Sequence, residues 1–219
     1  MILEPIIISV EVSIISTLIT LILGVFLARI FTKYNFLGKD ILETIIMMPM
    51  ILPPSVTGYG LLMIIGANGF LGKAFYELFN IRLIFNLKAA CIASIIVSLP
   101  LVYQNVKSAF LNVDNLYENV GRTLGADETT IFWKISFPLA FQGIISGTVL
   151  GFARSIGEFG ATLMVAGNIP GKTQTIPLAI YFAAESGDSK TANILMSIVI
   201  IFSFIIIYGL NKFGKSKKY

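Results

Sequence analysis

The chain contains no histidine, one cysteine, and only 13% charged residues. Lack of histidine excludes imidazole acid–base chemistry and histidine-ligated zinc. With Cys91 as the sole cysteine, internal disulfides and thiolate metal clusters are excluded as well. Cys91 lies within an apolar run and reads as a small packing residue. The charged fraction is about half that of an ordinary soluble domain, and the apolar runs carry no clustered carboxylates, which argues against a membrane enzyme built on paired acids. The formal net charge of +4 is spread over short loops and the tail rather than gathered on one basic face. Nucleic acid is therefore not an expected partner.

Apolar sequence takes the place of what is missing. Hydrophobic residues make up 56% of the 219 residues, and several uninterrupted runs reach the roughly 20 residues that cross a bilayer as helix. Both faces of these runs are apolar, whereas barrel strands would alternate. The expected fold is all-α and integral to the membrane, one domain over residues 1–219 with about five transmembrane helices. These spans fall near residues 6–30, 41–65, 89–107, 139–166 and 192–210, with Glu11 interrupting the start of the first. The opening MILEPIIISVEVS lacks the basic segment and small-residue cleavage site of a signal peptide and reads as a retained span.

Basic residues set the orientation. Arg29, Lys33, Lys39, Lys107, Arg122, Lys134, Lys212, Lys215, Lys217 and Lys218 fall on one side, leaving Lys73, Arg82, Lys88, Lys172 and Lys190 on the other. The richer side is expected to be cytoplasmic, with the N-terminus outside and the KSKKY tail inside, where it attracts anionic membrane lipid.

Two spans carry unusual residues. MMPMILPPSVTGYG places Pro49, Pro53, Pro54, Gly58 and Gly60 close together, so a continuous helix is not expected there. Pro53 and Pro54 are followed by Ser55 and Thr57, which makes these four candidates for lining a pathway rather than for a packing kink alone. In GFARSIGEFGATLM, Arg154 and Glu158 stand at helical i, i+4 spacing. Each costs about 2.5–3.5 kcal/mol at the bilayer centre, so the pair must face protein or water. Gly157 and Gly160 flank Glu158 and are expected to let a second backbone approach. AGNIPGKT, residues 166–173, imitates a phosphate-binding loop, but Ala166 stands where its first glycine belongs and no strand precedes it. It reads as an external turn, so no ATP site is expected on this chain. TIPLAIYFAAE, residues 175–185, is too short to span and is expected to re-enter the membrane or line the outer mouth.

A polar stretch, residues 112–138, separates two of the apolar runs. It divides at Gly125 into a helix with Leu116, Val120 and Leu124 on one stripe and a second piece, capped by Asp127, that pairs Ile131 with Ile135. A helix, elbow and helix with a narrow apolar stripe fits a groove on a partner.

This stretch resembles the cytoplasmic signature of permease subunits of ATP-binding-cassette importers: Glu-Ala-Ala, three residues, Gly, nine residues, Ile, one residue, Leu-Pro. Gly125, Ile135 and Pro138 match, with Ala126 following the glycine; Phe137 replaces leucine, and Asn119, Val120 and Gly121 occupy the Glu-Ala-Ala positions. MILPPSVTGYGLL, RTLGADETTIFWKISFPLA, GFARSIGEFGATLMVAGNIPG and KTQTIPLAIY look like the molybdate-type branch of these permeases, the type I importer fold. The resemblance implies a homodimer bound to two cytoplasmic ATPase subunits, which carry ATP and magnesium, and to an external oxyanion-binding protein, in a bacterial or archaeal plasma membrane. It implies further that residues 112–138 form the coupling element. Molybdate is the implied cargo, with tungstate and sulfate as alternatives. An ion-coupled secondary transporter is the main reading outside this class, although no paired inverted repeat is visible.

Overall fold

A computed structural model describes residues 2–215, so the tail from residue 216 onward, including the expected cytoplasmic Lys217 and Lys218, lies outside the described residues. Helices follow one another as α1 (Leu3–Lys33), α2 (Lys39–Ile51), α3 (Pro54–Ile65), α4 (Phe70–Phe79), α5 (Leu87–Leu111), α6 (Asn115–Thr123) and α7 (Glu128–Ile131). A π-helical turn, Phe132–Ser136, leads into α8 (Phe137–Ile156), followed by α9 (Gly160–Ala166), α10 (Ile176–Glu185) and α11 (Ser189–Lys215). No strand occurs among the described residues.

Packing centres on α1, α5 and α8. Water cannot drive helices together inside lipid, so small residues and hydroxyls do the work. Beside Pro5, Ile8, Val12 and Phe31, the buried face of α1 carries Ser9, Ser13, Ser16, Thr17, Thr20, Gly24 and Ala28. Ser16 Oγ donates to the Cys91 carbonyl at 3.2 Å, and the Thr20 and Ser98 hydroxyls lie 3.3 Å apart. Ser94 on α5 bonds the Ser155 hydroxyl on α8. A Cβ at Gly151 would stand 2.3 Å from Val102 Cγ2, so α8 passes α5 at a separation that only glycine permits. Cys91 is a buried member of the core formed by α1, α3, α5 and α9, as its apolar setting implied.

Among the described residues, four helices are long and apolar enough to cross a bilayer, Leu3–Lys33, Leu87–Leu111, Glu128–Ile156 and Ser189–Gly209. A fifth crossing is available from α3 and α4, bent by 41° at their junction. The chain is thus a multi-pass membrane protein, with two corrections to the expected spans. Within residues 41–65 the helix breaks at Leu52 and Pro53, as the prolines implied, and Pro54 begins α3; what differs is the start of the bent candidate span, at Pro54 rather than at residue 41. Residues 139–166 likewise do not form one helix. Helical backbone begins at Glu128, stops at Ile156, and resumes at Gly160.

The segment over residues 166–173 is a turn preceded by a helix rather than a strand, unlike a phosphate loop. Gly167 has φ +69°, and the buried Thr173 hydroxyl donates to the Gly167 carbonyl at 3.1 Å while accepting from Ile169 N–H. Beyond it, α10 packs against α11 and the N-terminal part of α1.

Candidate functional site

The two interrupted segments meet. α3 and α9 lie against each other, and both are held close by glycine. A Cβ on Gly58 would fall 2.8 Å from Ala161 Cα; one on Gly160 would fall 2.8 Å from Pro54 Cβ and 3.5 Å from the Ser55 nitrogen. Gly160 therefore sets the approach of the two backbones. Gly157, expected to share that task, does not: a Cβ there would meet only its own helix's carbonyls at 3.7 Å or more. Its part is to end α8 on an exposed face.

Arg154 and Glu158 were expected on one face of a continuous helix, but Glu158 lies beyond its end. They pair across the break, Arg154 Nη1 to Glu158 Oε2 at 2.8 Å. The other carboxylate oxygen, Oε1, accepts from the Ala161 N–H at 2.9 Å, so Glu158 also occupies the donor end of α9. Its side chain is only 3% exposed, whereas that of Arg154 is 35% exposed. A guanidinium carries five N–H donors, so Arg154 is fixed through one of them and keeps others facing open space. Ser155, next in sequence, is tied to Ser94, which fixes the end of α8 against α5.

Pro53, Pro54 and Ser55 are exposed at this junction. The first-turn N–H of Ser55 has no intrahelical acceptor. Thr57 is different: it is buried, and its hydroxyl turns back to the Pro53 carbonyl at 3.5 Å. Of the four residues expected to line a pathway, Thr57 alone sits in the buried face of α3. The junction gathers Pro53, Pro54, Ser55, Arg154, Glu158 and Gly160, with Thr57 buried in α3 and Gly157 apart from the approach of the two backbones.

The polar stretch folds into a compact element at the other end of α1. Asp114 accepts from Leu116 N–H at 2.9 Å and caps α6; Gly125 takes φ +82°, the left-handed turn that ends it. Asp127 accepts from Thr130 N–H at 3.3 Å and starts α7. This and related bonds hold the Asp127 carboxyl below its ordinary value. Leu116, Val120 and Leu124 form an outward apolar stripe, with exposures of 62%, 49% and 82%. Gly121 and Ile135 face each other instead, since a Cβ on Gly121 would stand 2.9 Å from Ile135 Cδ1. Those two shape the element from within, while Asn119, Gly125 and Pro138 are exposed and Ala126 is half-buried. Asn119 Oδ1 is occupied by Arg122 Nη1 at 2.8 Å.

One acid to which the sequence reading gave no role is central here. Glu118 is 8% exposed and accepts from Arg29 Nη1 at 2.9 Å, Ser136 Oγ at 2.5 Å and Arg122 Nη2 at 3.0 Å. Burial alone would raise its pKa, but these donors together hold it below the ordinary value. Its i, i+4 relation to Arg122 was the available signal. Arg29 is 89 positions away in sequence and gave none.

The fold and these two features define a class. Over 99% of this chain and 80% of the other, the structure superimposes with a TM-score of 0.76, at 12% identity, on a subunit of a bacterial ABC transporter involved in the import of the acidic polysaccharide alginate. A chain of the MetNI methionine ABC transporter matches with a TM-score of 0.73 over 96% of this chain and 93% of its own, at 14% identity. This is the fold of type I ABC importer permeases. Residues 20–214 match the family of binding-protein-dependent transport system inner membrane components, and the chain belongs to that family. Its sequence is 39% identical, over 93% of this chain and 90% of the relative, to a putative molybdenum transport system permease protein of Bacillus subtilis. It is 40% identical to a molybdenum transport system permease protein of Haemophilus influenzae, covering 88% and 85%. A probable sulfate transport system permease protein of Marchantia polymorpha is 34% identical over 99% of this chain and 76% of its own length.

Proposed function

We propose that this chain is the membrane-spanning subunit of an ATP-driven importer of a tetrahedral oxyanion, molybdate in the first place. The observation that carries the reading is Arg154 at the end of an interrupted span, partly exposed and held by Glu158, at the junction where Gly160 meets the start of α3. A dianion in a low-dielectric passage needs positive potential that does not trap it. Arg154 supplies the charge, the α3 N-terminus adds its dipole, and Glu158 offsets part of the attraction so that the anion leaves again. Relatives near 40% identity that are named for molybdenum transport support molybdate as cargo. Sulfate is the second reading, favoured by the relative named for sulfate.

In this reading two copies enclose the pathway, because one copy leaves Arg154 and Gly157 on an open face. The N-terminus is outside and the basic tail inside. Residues 112–138 dock through Leu116, Val120 and Leu124 into two cytoplasmic ATPase subunits, which hold ATP and magnesium; this chain binds neither. An external binding protein delivers the anion and selects it. The test is reconstitution in lipid vesicles with the cognate ATPase and binding protein. Uptake of molybdate that requires internal ATP and survives collapse of ion gradients is expected. Uptake that follows an ion gradient without ATP would replace this reading with a secondary transporter.

A further inference from the structure

α6 has nine residues and buries only Glu118 and Gly121. A helix this short is not stable alone, so what fastens it decides what it moves with. Gly121 packs on Ile131 and Ile135, which lie on the chain leading into α8. Glu118 makes the other attachment, and it runs to a different span. Arg29, in the penultimate turn of α1, reaches Glu118; Lys33, one turn further on, bonds Glu128 of α7. Arg122 joins the two acids, with Nη2 to Glu118 at 3.0 Å and Nε to Glu128 at 2.8 Å.

Ser136, in the π-helical turn, closes the group from the α8 side, and the Arg29 guanidinium lies 5.4 Å from the centre of the Phe132 ring in the same turn. The cleft among these groups, about 340 Å³, is lined by Arg29, Lys33, Glu118 and Arg122. Three cations face two carboxylates here and Arg29 Nη2 has no partner, but both oxygens of Glu118 and of Glu128 are engaged, so the carboxylates tie the elements into a joint. Exposed ion pairs contribute little, but Glu118 is buried and takes charge-assisted bonds from two guanidinium groups.

We infer that Glu118 is a positioning residue that makes the coupling element and the cytoplasmic end of α1 one rigid body, so that displacement of α6 by an ATPase is passed into α1 as well as along the chain into α8. The inference rests on the proposed coupling role of residues 112–138. It also accounts for an acid that faces inward at 118 where position 119 carries Asn119, already bonded to Arg122.

The experiment uses the complete importer in lipid nanodiscs. Spin labels at Tyr34→Cys and Tyr117→Cys, with Cys91→Ser, report the distance from the end of α1 to the flank of α6. The distance is expected to change by less than about 2 Å between nucleotide-free and ATP-trapped complexes; a larger change overturns the inference. In the same complex Glu118→Gln is expected to spread that distance and to lower anions imported per ATP by about tenfold, with Glu118→Asp recovering part of the loss. An unchanged ratio in Glu118→Gln overturns the inference too. Should Glu118→Gln not assemble, the labels on the unaltered network decide. Gly125→Pro separates the two levels: retained substrate-stimulated ATPase in that variant defeats the coupling role itself, whereas its loss beside an unaffected Glu118→Gln defeats only the α1 linkage.

Discussion

Removing either member of the Arg154–Glu158 pair should not cost the same. Glu158 is 3% exposed and Arg154 35%. Arg154→Gln strands a buried carboxylate, and breaking a buried pair in that way costs about 3–5 kcal/mol. Glu158→Gln leaves a guanidinium that still reaches open space, and the new amide oxygen still accepts from Ala161 N–H, so the loss should be about 1–2 kcal/mol. At about 2–4 °C per kcal/mol for a chain of this size, Arg154→Gln should lower the unfolding midpoint in detergent by roughly 6–20 °C and Glu158→Gln by roughly 2–8 °C. Glu158→Ala also removes the acceptor at the start of α9 and should fall below Glu158→Gln by about 1 kcal/mol. The assay is thermal unfolding of the purified permease followed by circular dichroism. Equal midpoints for Arg154→Gln and Glu158→Gln, or a larger loss in the second, would refute the asymmetric burial on which the reasoning stands.

Gly160→Val should push Pro54 and the start of α3 away from α9 and destabilise by about 1–3 kcal/mol, while Gly157→Ala should stay within about 0.5 kcal/mol; the same melting assay compares them. Glu118 is held below its ordinary value of 4.5, so its contribution is complete above that value and is lost as pH falls through the lower, folded one. Trp133, the single tryptophan, meets Phe132 edge to face at 5.0 Å beside this joint; its emission should hold steady from neutrality down to the ordinary carboxylate value and change only below it. A transition near neutrality would contradict that sign. Leu124→Asp, on the exposed stripe, should prevent copurification of the ATPase while leaving the melting midpoint within about 0.5 kcal/mol of the parent.

Residue type and spacing revealed those parts of the fold that local physics decides. Runs of apolar residues located α1, α5, α8 and α11, the adjacent Pro53 and Pro54 located a break, and Gly125 with Asp127 located the elbow. The sequence did not reveal the end of α8 at Ile156. Arg154 and Glu158 have helical spacing, and nothing local distinguishes an ion pair along a helix from one across its end. Thr57 and Ser55 looked equivalent because both follow the prolines; burial of Thr57 alone separates them. Glu118 was legible only as half of an i, i+4 pair, since its main partner, Arg29, comes from a different span. The exposed stripe of Leu116, Val120 and Leu124 was legible because four-residue periodicity fixes a face without reference to tertiary contacts.

The claim that the break between α8 and α9 carries the anion is tested most directly by ATP-driven molybdate uptake in reconstituted vesicles with Arg154→Gln. ATPase and permease are first shown to assemble in equal amounts. The account predicts that uptake falls by about a hundredfold while basal ATP hydrolysis persists, because the charge is lost from the pathway and not from the coupling element. Uptake and maximal coupled hydrolysis equal to those of the parent would contradict it, and Arg154 would then serve only to hold α8 against α9.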